Sequence, residues 1–194
     1  MSAESAGGLE SRLRETAALL AVARVASATT DFGEALRLIC RELARLTGAE
    51  TVSAYVRQAE DAELRPVAAY HVPKGALEVL ATTRLTADEQ RGFDAVFQSG
   101  QVIWSDDLPN DPRFAIPLFR RFPHQSGLVI PLFIDGQVAG AFYLVWWTAR
   151  RRFDDAELAT LQAIGEQAGV LLRKRSHGVI ASSDVSAVSG SIGG

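Results

Sequence analysis

Cysteine is nearly missing from this sequence: Cys40 is the single one in 194 residues. No disulfide can form within the chain, which points to a reducing, cytoplasmic setting and excludes the stapled scaffolds of small secreted domains. A thiol–disulfide cycle would also lack a resolving partner. Excess charge of one sign is missing too. Lys and Arg number 20 against 23 Asp and Glu, a formal net charge of −3, and the one dense basic run is Arg150-Arg151-Arg152. Phosphate binding needs a concentrated cationic surface, so no nucleic-acid partner is expected. No apolar stretch approaches the roughly 20 residues that span a bilayer, so no membrane partner is expected either. Residues 1–10 lack the charged-then-apolar layout of a secretion signal. The three histidines stand outside any metal-ligand spacing, so no metal site is predicted.

What is present is an ordinary globular composition, 47% apolar and 22% charged, enough for one domain with a sizeable core. Residues 1–8, rich in Ser, Ala and Gly, read as a disordered N-terminus, 9–175 as a single domain, and 176–194 as a flexible tail or linker. Leu9, Leu13, Ala17 and Leu20 follow a helical spacing. Asp31 can cap a second helix with the stripe Phe32, Leu36, Ile39, Leu43 and Leu46, and Gly48 stops it. Residues 51–56 alternate as a half-buried strand does, and 64–71 supply a hairpin partner. A helix is predicted over 88–99, a brief strand over 101–104, and a long loop over 105–123 with one helical turn near Leu118-Phe119. Asp135-Gly136 joins two apolar runs, 126–134 and 137–147, which is a strong hairpin signal. Those runs lack strict alternation and so belong in the middle of a sheet. Asp154 with Glu157 makes a capping box for a last helix reaching Lys174. Strands grouped in hairpins predict an α+β fold with a mainly antiparallel sheet. Helices from both termini would cover one face, and any ligand would lie on the other.

Several local motifs carry a family likeness. Val102-Ile103-Trp104-Ser105-Asp106 leads to Asp111-Pro112-Arg113-Phe114. Ser126-Gly127-Leu128-Val129-Ile130-Pro131-Leu132 follows, then Asp135-Gly136-Gln137-Val138-Ala139-Gly140, and finally Phe153-Asp154-Asp155-Ala156-Glu157-Leu158. In this order the pieces resemble the GAF family of PAS-related, small-molecule-binding regulatory domains. They are similar to its "i-x-D" turn with a "DPRF"-like loop, its "S-x-L-x-x-P-L" strand, its "g-x-x-i-G" strand and its "F-t-x-x-e-l" helix start. The likeness runs from about Thr16 to Arg173. It implies a non-catalytic sensor that binds a small molecule, dimerises through its terminal helices and signals to a downstream domain or protein. Two family ligands fit badly. The cyclic GMP signature would need an Asn-Lys pair before Phe153 and Asp-Glu after it, and neither is there. A covalent bilin needs a cysteine in the chromophore pocket, whereas Cys40 sits on the second helix. One branch of the family reduces free methionine sulfoxide, but Cys40 beside Ile39 reads as a small buried apolar side chain.

In the arrangement this resemblance implies, Tyr55, Tyr70, Phe93, Phe97, Trp104 and Phe114 border the pocket. Asp106, Arg113 and Ser126 would supply its directed polar groups. The alternative is that the aromatics are plain core and that Asp106 and Arg113 staple the loop to each other. His71 and His124 join the candidates because some GAF sensors hold haem through one histidine. The ligand is otherwise unspecified. Leu158, Leu161, Gly165, Ala168 and Leu172 form a heptad seam that would admit a second copy, unless it packs only on its own sheet. A ligand-free interaction and dimerisation module is therefore the competing reading, and a reductase the third.

Overall fold

The computed structural model describes residues 3–57, 64–74, 76, 91–114 and 124–179. The turn foreseen near Leu118-Phe119, the start of the 88–99 helix and the tail from 180 lie outside them. The chain runs α1 (Ala3–Ser27), α2 (Phe32–Thr47), β1 (Thr51–Arg57), β2 (Leu64–Tyr70), α3 (Arg91–Ser99) and β3 (Ile103–Ser105). Two 3-10 turns, Leu108–Asn110 and Pro112–Phe114, precede β4 (Ser126–Ile134), β5 (Gln137–Trp146) and α4 (Asp155–Val179). The five strands form one antiparallel sheet in the order β2-β1-β5-β4-β3. This is the α+β architecture that the hairpin grouping predicts.

Local chemistry explains the boundaries. Asp31 Oδ1 accepts the Glu34 amide at 2.6 Å and starts α2. Asp135 and Gly136 both take the left-handed conformation, with φ of 53° and 77°, as the tight turn between twisted strands requires. The α4 capping box is reciprocal: Asp154 Oδ1 accepts the Glu157 amide at 2.8 Å, and Glu157 Oε2 accepts the Asp154 amide at 3.1 Å. Two boundaries and one burial pattern differ from the sequence reading. α1 begins at Ala3 instead of Leu9, taking in the Ser/Ala/Gly residues, and α4 continues past Lys174. Glycine weakens a helix by about 1 kcal/mol per residue without forbidding it. β1 is buried on both faces over 51–56, so its alternation marks two different neighbours and not a wet side.

The sheet divides two cores. On one side, Leu36, Ile39 and Leu43 of α2 and Leu161, Ile164, Ala168 and Leu172 of α4 pack on Val52, Ala54, Leu128, Ile130, Leu132, Phe142 and Leu144. Each of the Val, Leu, Ile and Phe side chains contributes about 1.5–3 kcal/mol by leaving water. The heptad seam of α4 is spent here. A Cβ on Gly165 would stand 2.1 Å from the Pro131 carbonyl oxygen, and one on Gly169 1.3 Å from that of Phe133. The small residues let α4 lie directly on β4, so the seam faces its own sheet instead of a second copy. Among the described residues, the large apolar side chains left exposed on the terminal helices are Leu13 (62%) and Leu20 (54%) of α1 and Val170 of α4.

Candidate functional site

The second core lies on the opposite face. Strand alternation puts Thr51, Ser53 and Tyr55 of β1 on that side, and Ala141, Tyr143 and Val145 of β5 beside them. The register pairs Ser53 directly with Tyr143 and Tyr55 with Ala141. α3 lays Phe93 and Val96 over these strands, and the two 3-10 turns add Leu108 and Phe114. Phe93 stands 5.3 Å from Tyr55 and 6.0 Å from Tyr143, ring centre to ring centre, within the range where tilted and edge-on rings attract. His124 is buried beside Trp147 and Tyr143, at 4.4 and 6.0 Å. The Trp147 indole donates to Thr51 Oγ1 at 2.9 Å, and that hydroxyl donates to the His71 carbonyl at 2.8 Å. At the rim the Arg57 guanidinium lies 3.9 Å over the Phe97 ring.

Burial pushes the Tyr55 phenol up to about 12, against a hydrogen bond with Ser53 that favours ionisation. Burial also lifts Tyr143 well above the ordinary tyrosine range, and the nearby Tyr55 adds to it. Both phenols therefore stay neutral. The floor of this face is aromatic, hydroxyl-bearing and uncharged.

The residues singled out from the sequence divide into three groups. Tyr55, Phe93, Phe97, Phe114 and His124 come together on this face. Tyr70 and Trp104 instead pack against the helix-side core: Tyr70 stacks on His71 at 4.1 Å, and Trp104 meets Phe153 edge-on at 5.7 Å. Their strand parity is opposite to that of Tyr55 and Ile103. His71 is exposed with φ of 54° and turns the chain after β2. The polar candidates act as braces. Arg113 pairs with Asp111 at 2.6 Å and donates to the Trp104 carbonyl at 3.1 Å, while Asp106 pairs with Arg152 at 2.6 Å. Asp106 and Arg113 are thus not joined to each other. The Asp111 carboxyl is held below its usual range chiefly by the Arg113 hydrogen bond. Ser126 Oγ donates to the Ala149 carbonyl at 3.0 Å and accepts the Arg151 amide at 2.7 Å, tying down the strap between β5 and α4. Thr51, Ser53, Tyr143 and Trp147 escaped the sequence reading. Period-2 counting from Tyr55 along β1 reaches Thr51 and Ser53, and that signal was available.

Cys40 is fully buried in the helix-side core, where burial pushes its thiol up strongly. A thiol so placed is a poor nucleophile. Among the described residues, no group of three or more His, Cys, Asp or Glu could hold a metal ion, and no helix is long and apolar enough to cross a membrane.

With fold and site in view, comparison with known proteins places the chain. A family model described as GAF domain matches residues 29–173. The chain belongs to the GAF family, a family of sensory and regulatory domains. No curated protein matches the sequence. Among solved structures, the GAF domain of a phosphoenolpyruvate-protein phosphotransferase from Coxiella burnetii is 17% identical, with 86% of this chain and 97% of that one covered and a TM-score of 0.70. A segment of a methyl-accepting chemotaxis protein is 23% identical over 81% of this chain and 98% of that one, with a TM-score of 0.66. A free methionine-R-sulfoxide reductase from Neisseria meningitidis, solved with its substrate, is 18% identical over 82% of this chain and 90% of that one, with a TM-score of 0.64. At such identities the likeness is one of fold. The same fold serves signalling proteins and a reductase alike.

Proposed function

We propose that this domain is a non-catalytic cytoplasmic sensor that binds a small, largely uncharged ligand on the aromatic face of its sheet. The observation that carries this is the buried set Thr51, Ser53, Tyr55, His124 and Tyr143, with the half-buried Trp147 bonded to Thr51. A face needed only for stability gains more from aliphatic side chains than from hydroxyls and an imidazole, each of which costs free energy unless bonded. Phe93, Phe97 and Phe114 give such a ligand flat apolar contact, and Arg57 stands at the rim. The position of Cys40, sealed on the far side of the sheet, speaks against thiol chemistry at this face. The test is a native mass spectrum of protein purified from cells. A retained mass that disappears on denaturation supports the reading, and Phe93→Ala should reduce it. A bare chain whose stability no small-molecule library raises would overturn it.

A ligand-free dimerisation module is the second reading, favoured by one observation. Leu13 and Leu20 lie one heptad apart on α1 and are exposed, with Ala17 between them. A dimer through terminal helices would use this α1 stripe. Leu13→Glu together with Leu20→Glu should then yield monomers in sedimentation. A retained ligand would rule out the ligand-free reading, whereas dimerisation through α1 is compatible with a ligand-binding sensor that passes its state to a downstream partner.

A further inference from the structure

Site and α4 lie on opposite faces of the sheet, and the strands between them are packed on both sides. One segment leaves the site, touches the helix-side core at the sheet edge through Val102 and Trp104, and comes back. Residues 91–114 begin in α3, which carries Phe93 and Val96 into the site, and round the sheet edge as β3. They return with Leu108 and Phe114 to the site side. β3 is short and pairs with β4 alone, through Ile103, Trp104 and Ser105. Short edge elements with few ladder bonds open at low cost compared with central strands.

Both ends of β3, in the middle of this segment, are gripped by α4 or its lead-in. Gln162 of α4 holds the turn between α3 and β3 with its whole amide. Its Oε1 accepts the Val102 amide at 3.0 Å, and its Nε2 donates to the Gly100 carbonyl at 2.9 Å. Farther on, Trp104 packs edge-on against Phe153, the residue just before the α4 cap. Asp106 pairs with Arg152 at 2.6 Å and Asp107 with Arg150 at 3.2 Å. These ion pairs are exposed and individually weak. The Gln162 amide is partly buried and bonded at both atoms, and a bonded amide cannot be moved without losing or remaking both bonds.

We infer that α4 reads out the site around the sheet edge, with Gln162 as the clasp that makes α4 follow segment 91–114. This rests on the reading of the aromatic face as a ligand site, since it is filling of that face that would move the segment. Gln162 is a positioning residue: it touches no residue of the site itself and acts through the α3–β3 turn.

The test needs no ligand. Hydrogen exchange is followed on the full chain in the parent protein, in Phe114→Ala, in Gln162→Leu and in the double variant, with exposed Ala159→Ser as control. Phe114→Ala loosens the site alone. In the parent background it should speed exchange by about fivefold, a small part of what losing the buried ring costs, both at residues 102–105 and at residues 157–163 of α4. With Gln162→Leu already present, the acceleration should remain at 102–105 and no longer reach α4. Acceleration that reaches α4 equally in both backgrounds, or never reaches it in the parent, overturns the inference. Phe114→Leu serves if Phe114→Ala does not fold. A bare native spectrum would remove the ligand reading and leave this exchange result standing. A retained ligand with no Gln162 dependence would remove the clasp alone.

Discussion

The two faces of the sheet are made of different materials. The helix side is mostly aliphatic, closed by three helices, and interlocked so closely that Gly165 and Gly169 leave no space for a methyl group. The other side is aromatic and hydroxyl-bearing, roofed among the described residues by the short α3 and two single turns. The first arrangement maximises apolar burial in one rigid packing. The second places hydrogen-bonding groups where burial makes them costly. One sheet thus presents a face that holds the fold together beside a face suited to recognition.

Deleting one ring from each side should break or sharpen this contrast most strongly. Phe142→Ala, on the helix side, should cost about 4 kcal/mol in denaturant unfolding, because the rigid surroundings cannot close the cavity. Phe93→Ala, also fully buried, should cost about half of that, because the short α3 can settle inward. Equal losses would mean that the two faces are equally rigid. An intermediate effect is expected with alkali. The folded Tyr55 titrates at about 12 and an unfolded tyrosine near 10, so the unfolded state sheds its proton first. Stability should therefore be intact below pH 10 and fall as pH rises toward 12, by up to about 2 kcal/mol from this residue. Tyr55→Phe should flatten the slope in unfolding experiments across that range, and an unchanged slope would place the alkaline loss elsewhere. The smallest change concerns the helix side alone. Asp154→Ala removes half of the α4 capping box and should cost about 1 kcal/mol of thermal stability, leaving the exchange of α3 unaltered.

Much of the fold was legible in the sequence because its signals are local. The Asp135-Gly136 turn, the Asp31 and Asp154 caps and the α2 stripe each depend on neighbours within a few residues, and each forms as read except that Leu46, the last residue of the stripe, is exposed. The site was legible only in part, for a reason of parity. Tyr55, Phe93, Phe97, Phe114 and His124 share a face, but Trp104 and Tyr70 fall on the other because one step along a strand reverses the side chain. Aromatic character says that a residue wants burial and not which side of a sheet will bury it. The braces escaped for another reason. Arg152 with Asp106 is separated by 46 residues and Ser126 with Arg151 by 25, and no spacing rule connects such distances. The α4 seam shows the same limit, since small residues at heptad positions look alike whether the neighbour is a second helix or a strand of the same chain.

Cys40 has a practical consequence for studying the molecule. It is the sole thiol of the chain, and it is fully buried in the helix-side core with its ionisation suppressed. Alkylating dyes and nitroxides react with thiolates, so the native protein should be almost inert to them. A cysteine placed on the surface, at Ala159 of α4 or Ser99 of α3, would then carry the label by itself. The distance between α3 and α4 could be followed by spectroscopy without first removing the natural residue.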